Sequence, residues 1–114
     1  MHELGIIVHV MRMVEEVAEE NNVTEIRSVT CEVGEVSGVV PAYLTDCWGY
    51  ARRKSELFQD AELIIEIIPG VTVCEDCGKT YSTVTYAKIC PHCGSGHTCL
   101  LAGNGFNIKE IEGA

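Results

Sequence analysis

The chain opens with an amphipathic pattern. Between residues 4 and 20, Leu4, Ile7, Val8, Met11, Val14 and Ala18 recur at the spacing that lines one face of an α-helix. Glu15, Glu16, Glu19 and Glu20 fall mostly outside that stripe and read as a solvated face rather than an acidic metal patch. His9 also lies outside it and reads as a surface histidine. Asn21-Asn22 is the predicted stop. The period then changes. Over residues 24–34, Val29, Cys31 and Val33 alternate with Thr30 and Glu32, which predicts a strand with Cys31 as a small core residue. Gly34 and Ser37-Gly38 mark a loop. Pro41 suits the first position of a second helix, predicted to reach about Leu57, with Leu44, Cys47, Trp48 and Ala51 as its apolar stripe. Arg52, Arg53 and Lys54 then complement the negative end of the helix dipole, or form a docking patch.

Ala61 to Ile68 predicts a strong strand, with Leu63, Ile65 and Ile67 on one face, ended by Pro69-Gly70. A less regular stretch follows over residues 71–100, in which Lys79–Lys88, carrying Tyr81, Val84 and Tyr86, predicts hairpin strands. Gly103-Asn104-Gly105 is a turn, and Phe106–Glu112 a closing strand whose alternation slips at Glu110-Ile111. A strand that short does not stand alone, so it is predicted to return to the sheet made by the first two.

The irregular stretch carries the chemistry. Cys74-Glu75-Asp76-Cys77 and Cys90-Pro91-His92-Cys93 form a C-x2-C-x12-C-x2-C pattern. Each pair turns tightly enough to aim two sulfurs at one point, and two facing knuckles supply the four tetrahedral thiolates of a closed structural zinc site. Gly78 and Gly94 follow the second cysteine of each pair, where a positive φ is needed. Two disulfides, free buried cysteines or a redox pair are the competing readings. The fold class expected is therefore α/β (α+β): two helices on a small three-stranded sheet, with an inserted four-cysteine zinc-ribbon-like module. Its expected domains are residues 1–69 plus 103–114, and the module at residues 70–102.

Charge narrows the function classes. Eight Lys+Arg against seventeen Asp+Glu leave a formal charge of −9. Nucleic-acid binding needs a basic footprint, so it is not expected. No apolar stretch approaches a membrane span and Met1-His2-Glu3 does not begin a signal peptide. Of seven cysteines, Cys31, Cys47 and Cys99 remain outside the zinc pattern, which suits a reducing cytoplasm. His92 and His97 flank the second knuckle and could replace a cysteine on zinc or sense pH, although solvent-facing histidines are the simpler reading.

The start of the chain has chemistry of its own. A deprotonated His2 amide can share a metal with the Met1 amine, the Glu3 amide or the His2 imidazole through small chelate rings. Planar nitrogen sites of this kind suit Ni(II) or Cu(II) rather than zinc, and need a further donor from elsewhere.

Met-His-Glu-Leu at the terminus, the loop before Pro41, the Cys90-Pro91-His92-Cys93-Gly94-Ser95 knuckle and the closing Phe106–Glu112 strand resemble, in order and across the whole chain, the HypA/HybF family of nickel metallochaperones for NiFe-hydrogenase maturation. The resemblance implies His2 as the principal nickel ligand, Glu3 as its neighbour with backbone nitrogens, including the Met1 end, contributing, and Cys74, Cys77, Cys90 and Cys93 as zinc ligands. It implies Ni(II) as transient cargo and Zn(II) as a structural ion. It further implies a HypB-type nickel GTPase and the NiFe-hydrogenase large-subunit precursor as partners, with urease maturation proteins for some members, in a monomer or homodimer. The chain has no Walker A pattern, so GTP hydrolysis would be the partner's work. Against this stand a zinc-ribbon protein–protein adaptor without nickel transfer and, less well, a metal-dependent hydrolase, because a catalytic zinc keeps an open position.

Overall fold

The computed structural model describes residues 3–114. Helix α1 spans Glu3–Glu20, strand β1 Ile26–Gly34 and helix α2 Pro41–Ala51, with a 3-10 turn at Arg52–Lys54. Strands β2 (Glu62–Ile68), β3 (Val71–Cys74) and β4 (Thr80–Ser82) lead to the one-turn helix α3 (Thr83–Tyr86). Strands β5 (Thr98–Ala102) and β6 (Phe106–Gly113) complete the chain. Two three-stranded sheets form, ordered β2-β1-β6 and β4-β3-β5. The closing strand thus joins the sheet of β1 and β2, as its length and pattern predict.

The chain divides into two compact units. The first comprises the stretch ending at Glu32, Val39–Glu66 and Asn107–Ala114; the second comprises Val33–Gly38 and Ile67–Phe106. In the first unit α1 buries Ile7, Val10, Met11, Val14 and Ala18. The predicted stripe needs correction at one edge: Leu4 and Val8 are each 45% exposed, while Val10 is fully buried. The buried arc is centred on the Ile7–Met11–Val14–Ala18 line, so Leu4 and Val8 lie on its rim. Helix α1 ends in a Schellman motif: Val23 N–H bonds Ala18 O at 2.8 Å and Asn22 N–H bonds Glu19 O at 3.4 Å. Asn22 takes a φ of 56°, a conformation asparagine tolerates.

Helix α2 stops at Ala51, short of the predicted Leu57. The reason is packing beyond it. Trp48 Nε1 donates to Ala61 O at 3.0 Å and Arg52 Nη1 donates to the same oxygen at 3.1 Å. Phe58, fully buried, meets Trp48 edge-on at 5.6 Å between ring centres. Those contacts require the chain to turn back before Phe58. On β1, Val29 and Cys31 are fully buried, which fits the predicted core face.

In the second unit β3 pairs antiparallel with both β4 and β5. The hairpin predicted over Lys79–Lys88 is only partly strand, because α3 replaces its second half. Tyr81 explains the change. Its hydroxyl donates to Ala87 O at 2.9 Å, and its ring meets Tyr86 edge-on at 5.9 Å. A helical turn brings both groups within reach where a strand would carry them away.

Three glycines make this unit's tightest contact. A Cβ on Gly34 would lie 2.1 Å from Gly103 O, and one on Gly103 would lie 2.5 Å from Gly70 Cα. Gly103 also takes a φ of 94°. Around them, Val36 N–H bonds Gly103 O at 2.8 Å, and Gly70 N–H bonds the Glu35 carboxylate at 2.9 Å.

Candidate metal centre

The two cysteine pairs sit in matching turns. Cys74 N–H bonds Lys79 O at 2.9 Å, and Gly78 N–H bonds Cys74 O at 2.8 Å. In the second turn, Cys90 N–H bonds Ser95 O and Gly94 N–H bonds Cys90 O, each at 2.9 Å. Gly78 and Gly94 adopt φ of 75° and 76°, the positive values their positions predict. The repeat in sequence is therefore a repeat in backbone geometry.

These turns bring Cys74, Cys77, Cys90 and Cys93 together, with all four sulfurs within 4.8 Å of one another. Cys74 Sγ lies 3.5 Å from Cys93 Sγ, and Cys77 Sγ lies 3.7 Å from Cys90 Sγ. A disulfide needs about 2.05 Å, so neither contact is one. Zinc–sulfur bonds of about 2.3 Å arranged tetrahedrally separate sulfurs by about 3.8 Å. The four thiols therefore fit a closed four-thiolate zinc ion. Cys74 and Cys90 are buried and pack with Tyr81, while Cys77 and Cys93 are exposed.

The turns also aim donors at the sulfurs. His92 N–H approaches Cys90 Sγ at 3.4 Å. Burial raises the Cys90 thiol, but the N–H groups of His92 and Cys93 and the neighbouring thiols outweigh it, leaving about 7. The Ser95 N–H favours the Cys93 thiolate, yet Cys74, burial and the other thiols push Cys93 up to about 12. Cys77 is also raised: the Lys79 N–H lowers it, but burial and the Cys74 and Cys90 thiols prevail. Four thiols this close do not all ionise unaided. A dication at their centre removes that conflict and expels the protons.

His92 and His97 take different places. The His92 side chain is exposed and its described contact to the cluster is through the backbone. His97 Nδ1 lies 3.3 Å from Asp76 Oδ2. Asp76 also accepts a short hydrogen bond from Ser95 Oγ, which in turn accepts from His97 N–H at 3.0 Å. The Ser95 hydrogen bond and then His97 hold the Asp76 carboxyl below its ordinary range. This bridge between the knuckles was not legible in the sequence. Its members sit beside the cysteines, but nothing in their spacing announces a mutual contact.

At the other end of the chain, Met1 and His2 lie outside the described residues. Glu3 lies in the first turn of α1, and its Oε2 accepts from Val40 N–H at 3.3 Å. Val40 is the N-cap of α2 and supplies no side-chain cap, so the Glu3 carboxylate stands at the positive end of that helix.

Fold and site together define a small α+β protein with a four-thiol centre matched to zinc. The chain matches, over residues 1–113, the family described as "Hydrogenase/urease nickel incorporation, metallochaperone, hypA", and it belongs to that family. Among its relatives, the hydrogenase maturation factor HypA of Geobacter metallireducens is 35% identical over 112 residues, covering 98% of each chain. The hydrogenase maturation factor HybF of Klebsiella pneumoniae is 31% identical over 113 residues, covering 99% of each. The solution structure of the Ni metallochaperone HypA from Helicobacter pylori shares the fold, with a TM-score of 0.71 at 24% identity over 99% of this chain and 97% of that one.

Proposed function

We propose that this chain is a nickel metallochaperone that binds Ni(II) at its N-terminus and delivers it for NiFe-hydrogenase maturation. Its membership of the nickel-incorporation family across residues 1–113 carries the reading. The chemistry of Met1-His2-Glu3 supports it, because amine, amide and imidazole nitrogens make a planar donor set suited to Ni(II). Nickel is cargo here, so its site must release as well as bind. Cys74, Cys77, Cys90 and Cys93 hold a structural Zn(II), and His92 and His97 stand outside its ligand set. The working division is a nickel-binding domain of residues 1–69 plus 103–114 and a zinc-binding module of residues 70–102.

In this reading the chain is not an enzyme. It works in the cytoplasm, as a monomer or homodimer, with a HypB-type GTPase and the hydrogenase large-subunit precursor, and with urease maturation proteins where urease is the client. Among the described residues no helix is long and apolar enough to cross a membrane.

The test is nickel titration of the untagged, zinc-loaded protein, followed by calorimetry and metal analysis. His2→Ala is expected to abolish nickel binding and leave one zinc per chain. Nickel stoichiometry that survives the substitution removes His2 from the site. Absence of nickel affinity in the parent protein would leave the zinc-ribbon adaptor as the better reading.

A further inference from the structure

Helix α1 carries more apolar surface than its core face uses. Leu4 and Val8, on the rim of that face, join Met11 and Ala51 in a groove of ≈ 500 Å³ between α1 and the end of α2. Arg12, Glu15, Tyr50, Lys54 and Ser55 complete its walls. From Leu4 to Glu15 the groove follows α1 for about 16 Å, or three helical turns.

Its charge runs against that of the molecule. The chain has a formal charge of −9 and only eight Lys+Arg, yet Arg12 and Lys54 line this groove against the single carboxylate of Glu15. Among the described residues the ion pairs are His97–Asp76 and Lys109–Glu66, so neither Arg12 nor Lys54 has a carboxylate partner. Lys54 is nonetheless held in place: its Nζ donates to Tyr50 Oη at 2.8 Å and lies 4.4 Å from the centre of the Tyr50 ring. A fixed, unpaired cation beside an apolar floor is complementary to a carboxylate carried on an apolar surface.

The form of the occupant follows from the walls. Val8, Met11, Arg12 and Glu15 lie inside α1, whose backbone bonds are internal, so this long wall of the groove presents side chains rather than free N–H and C=O groups. An extended segment would leave its own backbone unpaired over Leu4 and Val8, whereas a helix brings its hydrogen bonds with it.

We infer that this groove is a docking site for an acidic amphipathic helix of a partner protein. Apolar residues at i, i+4 and i+7 seat on Leu4, Val8, Met11 and Ala51, and flanking carboxylates meet Arg12 and Lys54. The nickel reading names no surface, and docking here needs no nickel, so the two stand or fall separately.

The experiment uses the full zinc-loaded chain and a synthetic peptide of about 14 residues, with Leu at the seating positions and Glu on both flanks. A second peptide carries Lys in place of each Glu. Amide spectra of the protein and circular dichroism of the peptide follow the titration. The acidic peptide is expected to shift α1 and the end of α2 and to gain helix as it binds. Arg12→Glu with Lys54→Glu is expected to weaken it at least tenfold and to admit the Lys peptide instead, while Trp48 emission stays as in the parent. The inference is overturned by absence of shifts at millimolar peptide, or by equal binding of both peptides to the parent. Groove shifts that grow with protein concentration alone would assign the face to a second copy and overturn it too. So would groove-dependent binding to phosphatidylglycerol vesicles with no response to the peptide.

Discussion

Emptying the proposed zinc site should unfold one unit of this protein and spare the other. The buried cluster of the β3–β4–β5 unit is Cys74, Tyr81 and Cys90, and two of these are metal ligands in the proposed site. Tyr81 is thus the one large side chain of that cluster whose burial is independent of metal. Burying it is worth about 2–3 kcal/mol. Its edge-on contact with Tyr86 adds about 1 kcal/mol, and its hydrogen bond to Ala87 O about 1 kcal/mol. A structural four-thiolate zinc contributes about 10–16 kcal/mol to small modules of this kind. The metal therefore exceeds the tyrosine at least twofold. Against it, Trp48, Phe58, Leu44 and Ile7 pack the first unit without any proposed zinc ligand.

The assay withdraws zinc with excess chelator under reducing conditions while two signals are followed. Amide peaks of Val71–Cys74 and Thr98–Ala102 are expected to collapse to unfolded positions in step with zinc release. Emission from Trp48, the single tryptophan, is expected to hold. Dispersed β3 and β5 peaks after complete zinc loss would refute the reasoning. Acid should act in the same direction as chelator. Cys93, pushed up to about 12, and the raised Cys77 must both lose protons to bind metal, so affinity falls as pH falls.

Two further outcomes test the packing. Gly103→Ala places a Cβ 2.5 Å from Gly70 Cα at a φ of 94°, so it should cost about 3 kcal/mol in denaturant titration; Gly105→Ala, whose Cβ meets nothing within 4 Å, should be close to neutral. Cys31, raised from 9.0 to about 11 by burial, should resist iodoacetamide in the native protein at pH 8 and react on unfolding. Its proton is held more tightly folded than unfolded, so the associated stability is present below pH 9 and lost as pH rises towards 11; Cys31→Ala should lack that alkaline slope, and an unchanged slope would assign it to other groups.

Much of this was written along the chain. Period-3.6 and period-2 patterns located α1, β1, α2, β2 and β6, because each element's own apolar face must be buried somewhere. The cysteine knuckles were legible for a stronger reason. Two residues between cysteines and a glycine after them set a turn by local geometry alone, and Gly78 and Gly94 realise it at nearly equal φ. Where the outcome depended on a distant partner, local pattern failed. Helix α2 stops early because Trp48 and Arg52 share Ala61 O, and α3 replaces a strand because Tyr81 reaches Ala87 and Tyr86. Gly34, Gly70 and Gly103 each read as loop punctuation, yet they stack where three backbone segments meet. Leu4 and Val8 fit the helical stripe equally well whether buried or on its rim; only the position of α2 left them lining a groove. The sequence by itself determined where α1, β1, α2, β2 and β6 lie and which cysteines converge, since those follow from neighbours in the chain. Tertiary structure decided where elements end, which glycines are indispensable and which apolar residues stay outside, since those depend on what residues far along the chain place against them.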